Sequence, residues 1–240
     1  ATGDPGGTGR APFPNNRIPA HQFHFVSKGL LPLIPRPNLS GFTMNYIVDV
    51  PLTYDGNMYD ARIDHNFTTN TKIFAKFNTS RFQMTQRSAM GDVIGDGNVS
   101  SPYTVTGIVN LTHGFSPTLL SELRLGYNRY YAKVNGINIE RPLSQELGIK
   151  NPNPDPISSQ GLARIQISGM PAMGTPVFYP LINVDNIFNV VNSWNRIISR
   201  HTLKWGVDVR RVRIDRFQPQ GLNMGPRGLF QFNSGTTVLR

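Results

Sequence analysis

Four stretches of the chain, residues 58–67, 72–82, 103–115 and 119–131, alternate apolar and polar side chains, and very short turns join them as two hairpins. In the first stretch the odd positions are Tyr59, Ala61, Ile63, His65 and Phe67, and the even ones are Met58, Asp60, Arg62, Asp64 and Asn66. A period of two predicts a strand with one greasy face and one charged face. A strand tilted about 45° crosses a bilayer in roughly 9 to 11 residues, so each stretch is long enough to span one.

The spacing of these stretches predicts the remaining organisation. Residues 1–41 read as a loop, with Gly3, Gly6, Gly7, Gly9, Pro5, Pro12, Pro14 and Pro19 leaving room for one helical turn around 23–33. Residues 42–50 form an extended apolar run closed by Pro51 and lead into the first hairpin, so that 42–82 holds strands. A polar loop at 83–102 precedes the second hairpin at 103–131, and a long loop at 132–184 precedes a third hairpin at 185–214. A further strand is expected at 228–240, with Phe230 and Phe232 on one face. Short turns thus alternate with long loops, the arrangement of an outer-membrane barrel with short periplasmic turns and long extracellular loops. A secreted β-sandwich binding polysaccharide would scatter its loop lengths over both ends.

The phase of the charges assigns the two faces. Asp60, Arg62 and Asp64, Lys72 and Lys76, Glu122 and Arg124, and Lys204, Asp208 and Arg210 all occupy even positions. The odd positions beside them are Ile73, Ala75, Phe77, Leu123, Leu125, Tyr127, Leu203, Trp205, Val207 and Val209. Arg or Lys on the lipid face at mid-membrane costs roughly 2–4 kcal/mol, so the even face is expected to line the lumen. Basic residues in the odd phase, Arg81, Arg129, Lys133, Arg211 and Arg213, fall where strands run into long loops. They are candidates to meet outer-leaflet phosphates beside an interfacial girdle of Phe82, Tyr130 and Tyr131, or to be solvated at the loop mouths. The stretch 185–197 has no clean phase, because Asn192 interrupts Phe188, Val190 and Trp194, while Asn189, Ser193 and Asn195 interrupt the other register.

Composition narrows the function classes. Without cysteine, disulfides, thiolate metal sites and cysteine nucleophiles are excluded. No run of 18 apolar residues offers a transmembrane helix, and the start of the chain lacks the layout of a signal peptide. The net charge of +10 is spread singly, densest at Arg210, Arg211, Arg213 and Arg216, and gives no nucleic-acid patch. His21 and His24 form only an i, i+3 pair in a loop, and His65 and His113 sit near turn ends of the apolar face. Asp92, Asp96, Gly97 and Asn98 miss the spacing of a calcium loop and read as turn chemistry. Charges spaced by two, as at Asp60, Arg62 and Asp64, are what a water-filled wall requires. No catalytic residue, metal, cofactor or enzymatic activity is expected.

Several segments together carry a family resemblance. They are Asn15-Asn16-Arg17-Ile18-Pro19-Ala20 with the stretch 30–38, Asp60-Ala61-Arg62-Ile63-Asp64-His65, Phe115-Ser116-Pro117-Thr118-Leu119-Leu120 leading to Leu125-Gly126-Tyr127-Asn128-Arg129, and Arg200-His201-Thr202-Leu203-Lys204-Trp205-Gly206. In order and spacing they resemble the barrel of Oar-like TonB-dependent outer-membrane transporters over nearly the whole chain. The resemblance implies an antiparallel barrel of about 22 strands, located in the bacterial outer membrane, gated by a plug and driven through the TonB complex. The expected fold is therefore all-β: an antiparallel up-and-down transmembrane barrel, present in part as about seven or eight strands, with long extracellular loops. Its partners would be outer-membrane lipid, an imported ligand, and TonB acting through a plug domain that this chain does not contain. The alternative is a passive or adhesive outer-membrane barrel.

Overall fold

The computed structural model describes residues 13–41, 43–150, 160–219 and 225–232. In chain order the elements are α1 (Phe25–Leu30), β1 (Leu52–Asn66), β2 (Thr71–Gln86), the helical turn α2 (Gly91–Ile94), β3 (Asn98–Ser100), β4 (Tyr103–Ser116), β5 (Leu119–Gly136), the helical turn α3 (Leu143–Glu146), β6 (Arg164–Ile167), β7 (Leu181–Ile198), β8 (His201–Phe217) and β9 (Leu229–Phe232). The predicted helical turn is thus α1, whose first turn is capped where Val26 N–H donates to Nδ1 of His24 at 3.3 Å.

Seven of these strands make one antiparallel sheet. β3 and β4 pair with the same two neighbours, β2 and β5, and act as one ribbon interrupted at Ser101 and Pro102. Pro102 has no N–H to give the ladder. Its carbonyl still accepts from Phe82 N–H at 3.0 Å, and Ser101 N–H donates to Lys133 at 3.1 Å, so the ribbon continues past the break. The wall is therefore a six-ribbon meander, β1, β2, β3/β4, β5, β7 and β8, in chain order. β1 and β8 are its edges.

The hairpins are longer than the alternation alone marks. β5 and β7 each run 18 residues, absorbing 132–136 and 181–184 from the long loop. This exceeds the roughly 9 to 11 residues a bilayer needs, so the ribbons project beyond it. The three tight turns lie at one end. Pro117 and Thr118 link β4 to β5, Ser199 (φ 52°) and Arg200 link β7 to β8, and the β1–β2 turn closes with Phe67 N–H on Thr71 at 3.0 Å.

Two expected strands do not join the wall. Residues 43–50 carry no strand, and Phe42 lies outside the described residues. The reason is local: the Asn38 side chain takes the backbone of Ile47 in both directions, Nδ2 donating to its carbonyl at 2.6 Å and Oδ1 accepting its N–H at 2.9 Å. An asparagine thus satisfies the groups that a neighbouring strand would otherwise hold. The strand expected at 228–240 is the short β9, which pairs in parallel with β6 and not with β8, and residues 233–240 lie outside the description.

The long connections, at the other end, fold on a core of their own. Leu30, Met90, Ile94, Leu143, Leu162, Ile165 and Met173 cluster there, drawn from α1, α2, α3, β6 and the segments between them. Short elements leave many backbone groups without a ladder partner, and side chains take their place. Asn138 Nδ2 donates to the carbonyls of Val93 and Gly95 at 3.1 and 3.2 Å, and Ser144 Oγ accepts Ala163 N–H at 2.7 Å. Arg227, almost fully buried, donates to the carbonyls of Gln160 and Tyr179 and ties three segments of this cap together. Burial pushes its guanidinium down to about 10, so the clamp is still charged at neutral pH.

Candidate functional site

Partners across an antiparallel ladder share a face, so the register carries one face through the entire wall. Arg62 stands opposite Lys76, Lys76 opposite Ile108, Ile108 opposite Gly126, Gly126 opposite Asn189 and Asn189 opposite Arg210. Asp60, Asp64, Glu122, Arg124, Lys204 and Asp208 fall in the same phase. With Lys72, opposite Asn66 and Thr112, all ten sequence-predicted charges of the even face thus share one continuous surface. The register also fixes the ambiguous strand: in β7 the odd residues, Asp185 to Asn195, join the charged face.

On that face charges are matched in short chains. Arg62 grips Asp64 through two bonds of 2.7 Å and lies 4.4 Å from the Phe74 ring centre. Asp60 takes Asn78 Nδ2 at 2.9 Å with Lys76 at 3.8 Å, Arg124 spans Glu122 (2.8 Å) and Asn110 (3.3 Å), and Asn189 donates to Asp208 at 2.7 Å. These pairs are half-exposed, and exposed pairs contribute only about 0–1 kcal/mol each. They make a hydrated surface more than a stability device. Lys204 and Arg210 have no ion-pair partner among the described residues.

The opposite face is a banded apolar surface. At its centre one cross-strand row reads Ile63, Ala75, Val109, Leu125, Val190 and Val209, one residue from each ribbon. Toward the turns lies a zone of rings: His65 against Phe67, His113 against Phe115, Phe115 stacked on Trp194 at 5.3 Å, and Trp194 parallel to Trp205 at 6.2 Å. Toward the cap lies a second: Tyr103 stacked on Tyr131 at 5.0 Å and Tyr127 against Phe188 at 4.9 Å. Tyr103 and His113 mark the two zones on β4; their separation is roughly 33 Å along the strand, or roughly 23 Å in height at a 45° tilt. That height fits an apolar band of about 25 Å flanked by aromatic girdles.

Arg81, Arg129, Lys133, Arg211 and Arg213 all lie on this apolar face at the cap end. Arg129 is the most firmly held, donating from Nε to Tyr103 OH at 3.1 Å and from Nη1 to Asn186 Oδ1 at 2.9 Å, while Tyr127 OH donates to the same oxygen at 2.8 Å. Arg81 sits over the Tyr103 ring at 5.7 Å, and Arg213 bonds Asp215 at 3.2 Å. Two expected girdle members are corrected. Phe82 and Tyr130 point to the charged face, because successive residues of a strand alternate sides. Phe82 lies opposite Gly56 and stacks on Tyr54 at 5.3 Å, and Tyr130 lies opposite Thr104. Tyr131 keeps its expected place, and Tyr103 and Tyr127 join it. The turn-side girdle carries its own sequence signal, since Trp194 and Trp205 stand four residues to either side of the third hairpin's turn, at Ile198 and His201.

The remaining candidates resolve into turn chemistry. Asp92 pairs with Arg87, and Asp96 accepts from Ser88 at 2.9 Å and Arg164 at 3.2 Å. No cluster of three or more potential metal ligands occurs among the described residues.

A meander with a charged face, a banded apolar face and two zones of rings has the character of a membrane-barrel wall, and the family comparison agrees. The model of the outer membrane beta barrel domain matches residues 1–239. The chain belongs to this family. Its compartment is accordingly the bacterial outer membrane. No curated protein and no solved structure matched the chain. The facing of β7 in this outer membrane beta barrel domain is directly testable, because the chain holds no cysteine. In assembled full-length protein, Asn189→Cys is expected to react with a water-soluble maleimide at least tenfold faster than Val190→Cys; the reverse order would place β7 the other way round.

Proposed function

We propose that this outer membrane beta barrel domain is a wall segment of a TonB-dependent, Oar-like receptor that imports a bulky ligand. The observation that carries the reading is the continuous charged face. Such a surface is stable only against water, which supports a hydrated interior lined by Asp60, Arg62, Asp64, Lys76, Glu122, Arg124, Lys204, Asp208 and Arg210. The cap, with its own core, is suited to an outer vestibule where a ligand is first held. The edge ribbons β1 and β8 leave backbone groups unpaired, at a cost of several kcal/mol per group in lipid. In this reading further strands complete the wall, as in a barrel of about 22 strands. Import then proceeds by ligand capture at the cap, TonB acting on a plug domain outside these 240 residues, and passage along the charged interior, with no bond chemistry and no cofactor.

The test is growth on, and uptake of, candidate bulky nutrients by cells carrying or lacking the full-length gene. The reading requires that uptake fall to background when the inner-membrane proton gradient is collapsed or when TonB is removed. Uptake persisting without TonB would favour a passive barrel, and no gene-dependent uptake of any nutrient would favour an adhesive one.

The basic belt has a lipid partner in this reading. Arg129, bonded to Tyr103, and Arg211, opposite Phe188, would pair with phosphates of the outer-leaflet glycolipid. Charge reversal of both, Arg129→Glu with Arg211→Glu, is expected to slow outer-membrane assembly and raise detergent sensitivity severalfold. Unchanged assembly and detergent resistance would leave these residues as solvated charges at the loop mouths.

A further inference from the structure

The cap contains a cleft that the wall's function does not account for. β6 and β9 form a two-stranded parallel ribbon in which Ile165 stands opposite Phe230 and Ile167 opposite Phe232. All four lie on one side, while on the other Gln231 Nε2 donates to Gln166 Oε1 at 2.8 Å. The apolar side closes one wall of a cavity of about 740 Å³, and Leu30, Ile34 and Ile149 close the other. That volume lies within the range of small-molecule sites, roughly 300–1,000 Å³. Phe230 and Phe232 remain 41% and 50% exposed, so the cleft is open at the β9 side.

The polar groups at this cleft are few. Lys150, His24 and Ser27 stand in its lining, and among the described residues no acidic side chain does. The nearby acid, Glu146, is engaged by Arg141 through bonds of 2.6 and 2.9 Å, which hold its carboxyl below the ordinary range. His24 spends Nδ1 on the Val26 amide at the start of α1, which in the neutral ring puts the proton on Nε2, a donor with no partner among the described residues. Gly148, at φ 74°, brings the backbone past this point, and a side chain there would strike Phe25. The backbone is thus turned tightly beside the lysine.

We propose that this cleft binds a small amphipathic anion, a single apolar chain carrying one carboxylate, with the chain laid between the β6–β9 ribbon and α1 and the carboxylate met by Lys150 and His24. The apolar lining supplies the affinity, and the ammonium and imidazole N–H fix the orientation. The site rests on the cap alone and does not depend on TonB-driven import, so failure of either reading leaves the other standing.

The experiment uses the full-length parent in phosphatidylcholine nanodiscs with the fluorescent probe dansyl-undecanoate, and its methyl ester as the uncharged match. Only signal displaced by excess laurate is counted, with empty nanodiscs as background. The expected result is saturable binding of the carboxylate that is at least tenfold tighter than that of the ester. Lys150 is exposed, so Lys150→Glu leaves folding intact; it should weaken the carboxylate by about tenfold and leave the ester unchanged. Ile167→Trp, which fills the cleft, should abolish binding of both. No displaceable signal above empty nanodiscs overturns the site. Binding insensitive to Lys150→Glu, or equal for acid and ester, overturns the anionic ligand. Binding unaffected by Ile167→Trp overturns the location.

Discussion

Val109→Arg is expected to abolish assembly of the full-length parent, whereas Thr106→Arg, three residues away on β4, is tolerated. Val109 lies in the central apolar row, between Ala75 and Leu125. Arginine at the midplane of a lipid-facing wall costs roughly 2–4 kcal/mol. A total stability of about 5–15 kcal/mol leaves little margin for that loss during insertion. Thr106 lies between Asn78 and Asn128 on the charged face, and a guanidinium there stays in water. Its expected effect is within about 0.5 kcal/mol, the usual range for a surface change. The measurement is the folded, heat-modifiable band recovered with outer membranes: Val109→Arg should lose most of it and Thr106→Arg almost none. Equal recovery of the two would contradict the assignment of faces.

The wall was largely legible because its rule is local. In β1, β2, β5 and β8 a single residue determines the side of the next, so Asp60, Arg62 and Asp64 announce their face without any tertiary information. β7 was illegible for the same reason inverted: asparagines stand in both phases, and only pairing with Leu125 and Val209 shows that Val190 belongs to the apolar side. Strand ends blur where the lipid constraint stops, as at residues 83–86, 132–136 and 181–184, which continue as ribbon with mixed composition. Phe82 and Tyr130 are girdle residues by type, but their even parity puts them on the charged face. Residues 43–50 failed for a different cause, a side-chain clasp by Asn38 that hydrophobic pattern does not encode. The cap was least legible. Its core joins Leu30 to Met173 through contacts distant in sequence, and its strands β6 and β9 are four residues each, too short to show a period. The common face of the wall's charges is therefore legible in the sequence, while the cleft beside Lys150 is not.

Gly174→Val is expected to open the cap and leave the wall intact. Gly174 adopts φ 82°, a conformation that costs a β-branched residue of order 1–3 kcal/mol. A Cβ there would stand 2.1 Å from the Ala163 carbonyl oxygen and 2.8 Å from its carbon. Ala163 is not free to retreat, because its N–H is held by Ser144 Oγ at 2.7 Å. Gly174 itself is pinned, its N–H donating to Ile94 at 2.7 Å and its carbonyl accepting Arg164 Nη1 at 2.8 Å. Overpacking adds roughly another 1–3 kcal/mol, and the loss falls on a small core that buries few large side chains. Gly91→Ala is the matched control: its φ of 76° is similar, but nothing lies within 4 Å of the added carbon. It should cost only the backbone penalty, near the low end of the 1–3 kcal/mol range. Protease added outside intact cells should cut Gly174→Val between 137 and 180 at least tenfold faster than the parent, with Gly91→Ala close to the parent. All three should retain the heat-modifiable band, since no wall residue is touched. If the band is lost together with cap protection, the cap and the wall fold as one cooperative unit, and the loops at 87–97 and 137–180 act as a brace for the ribbons and not as a separate vestibule.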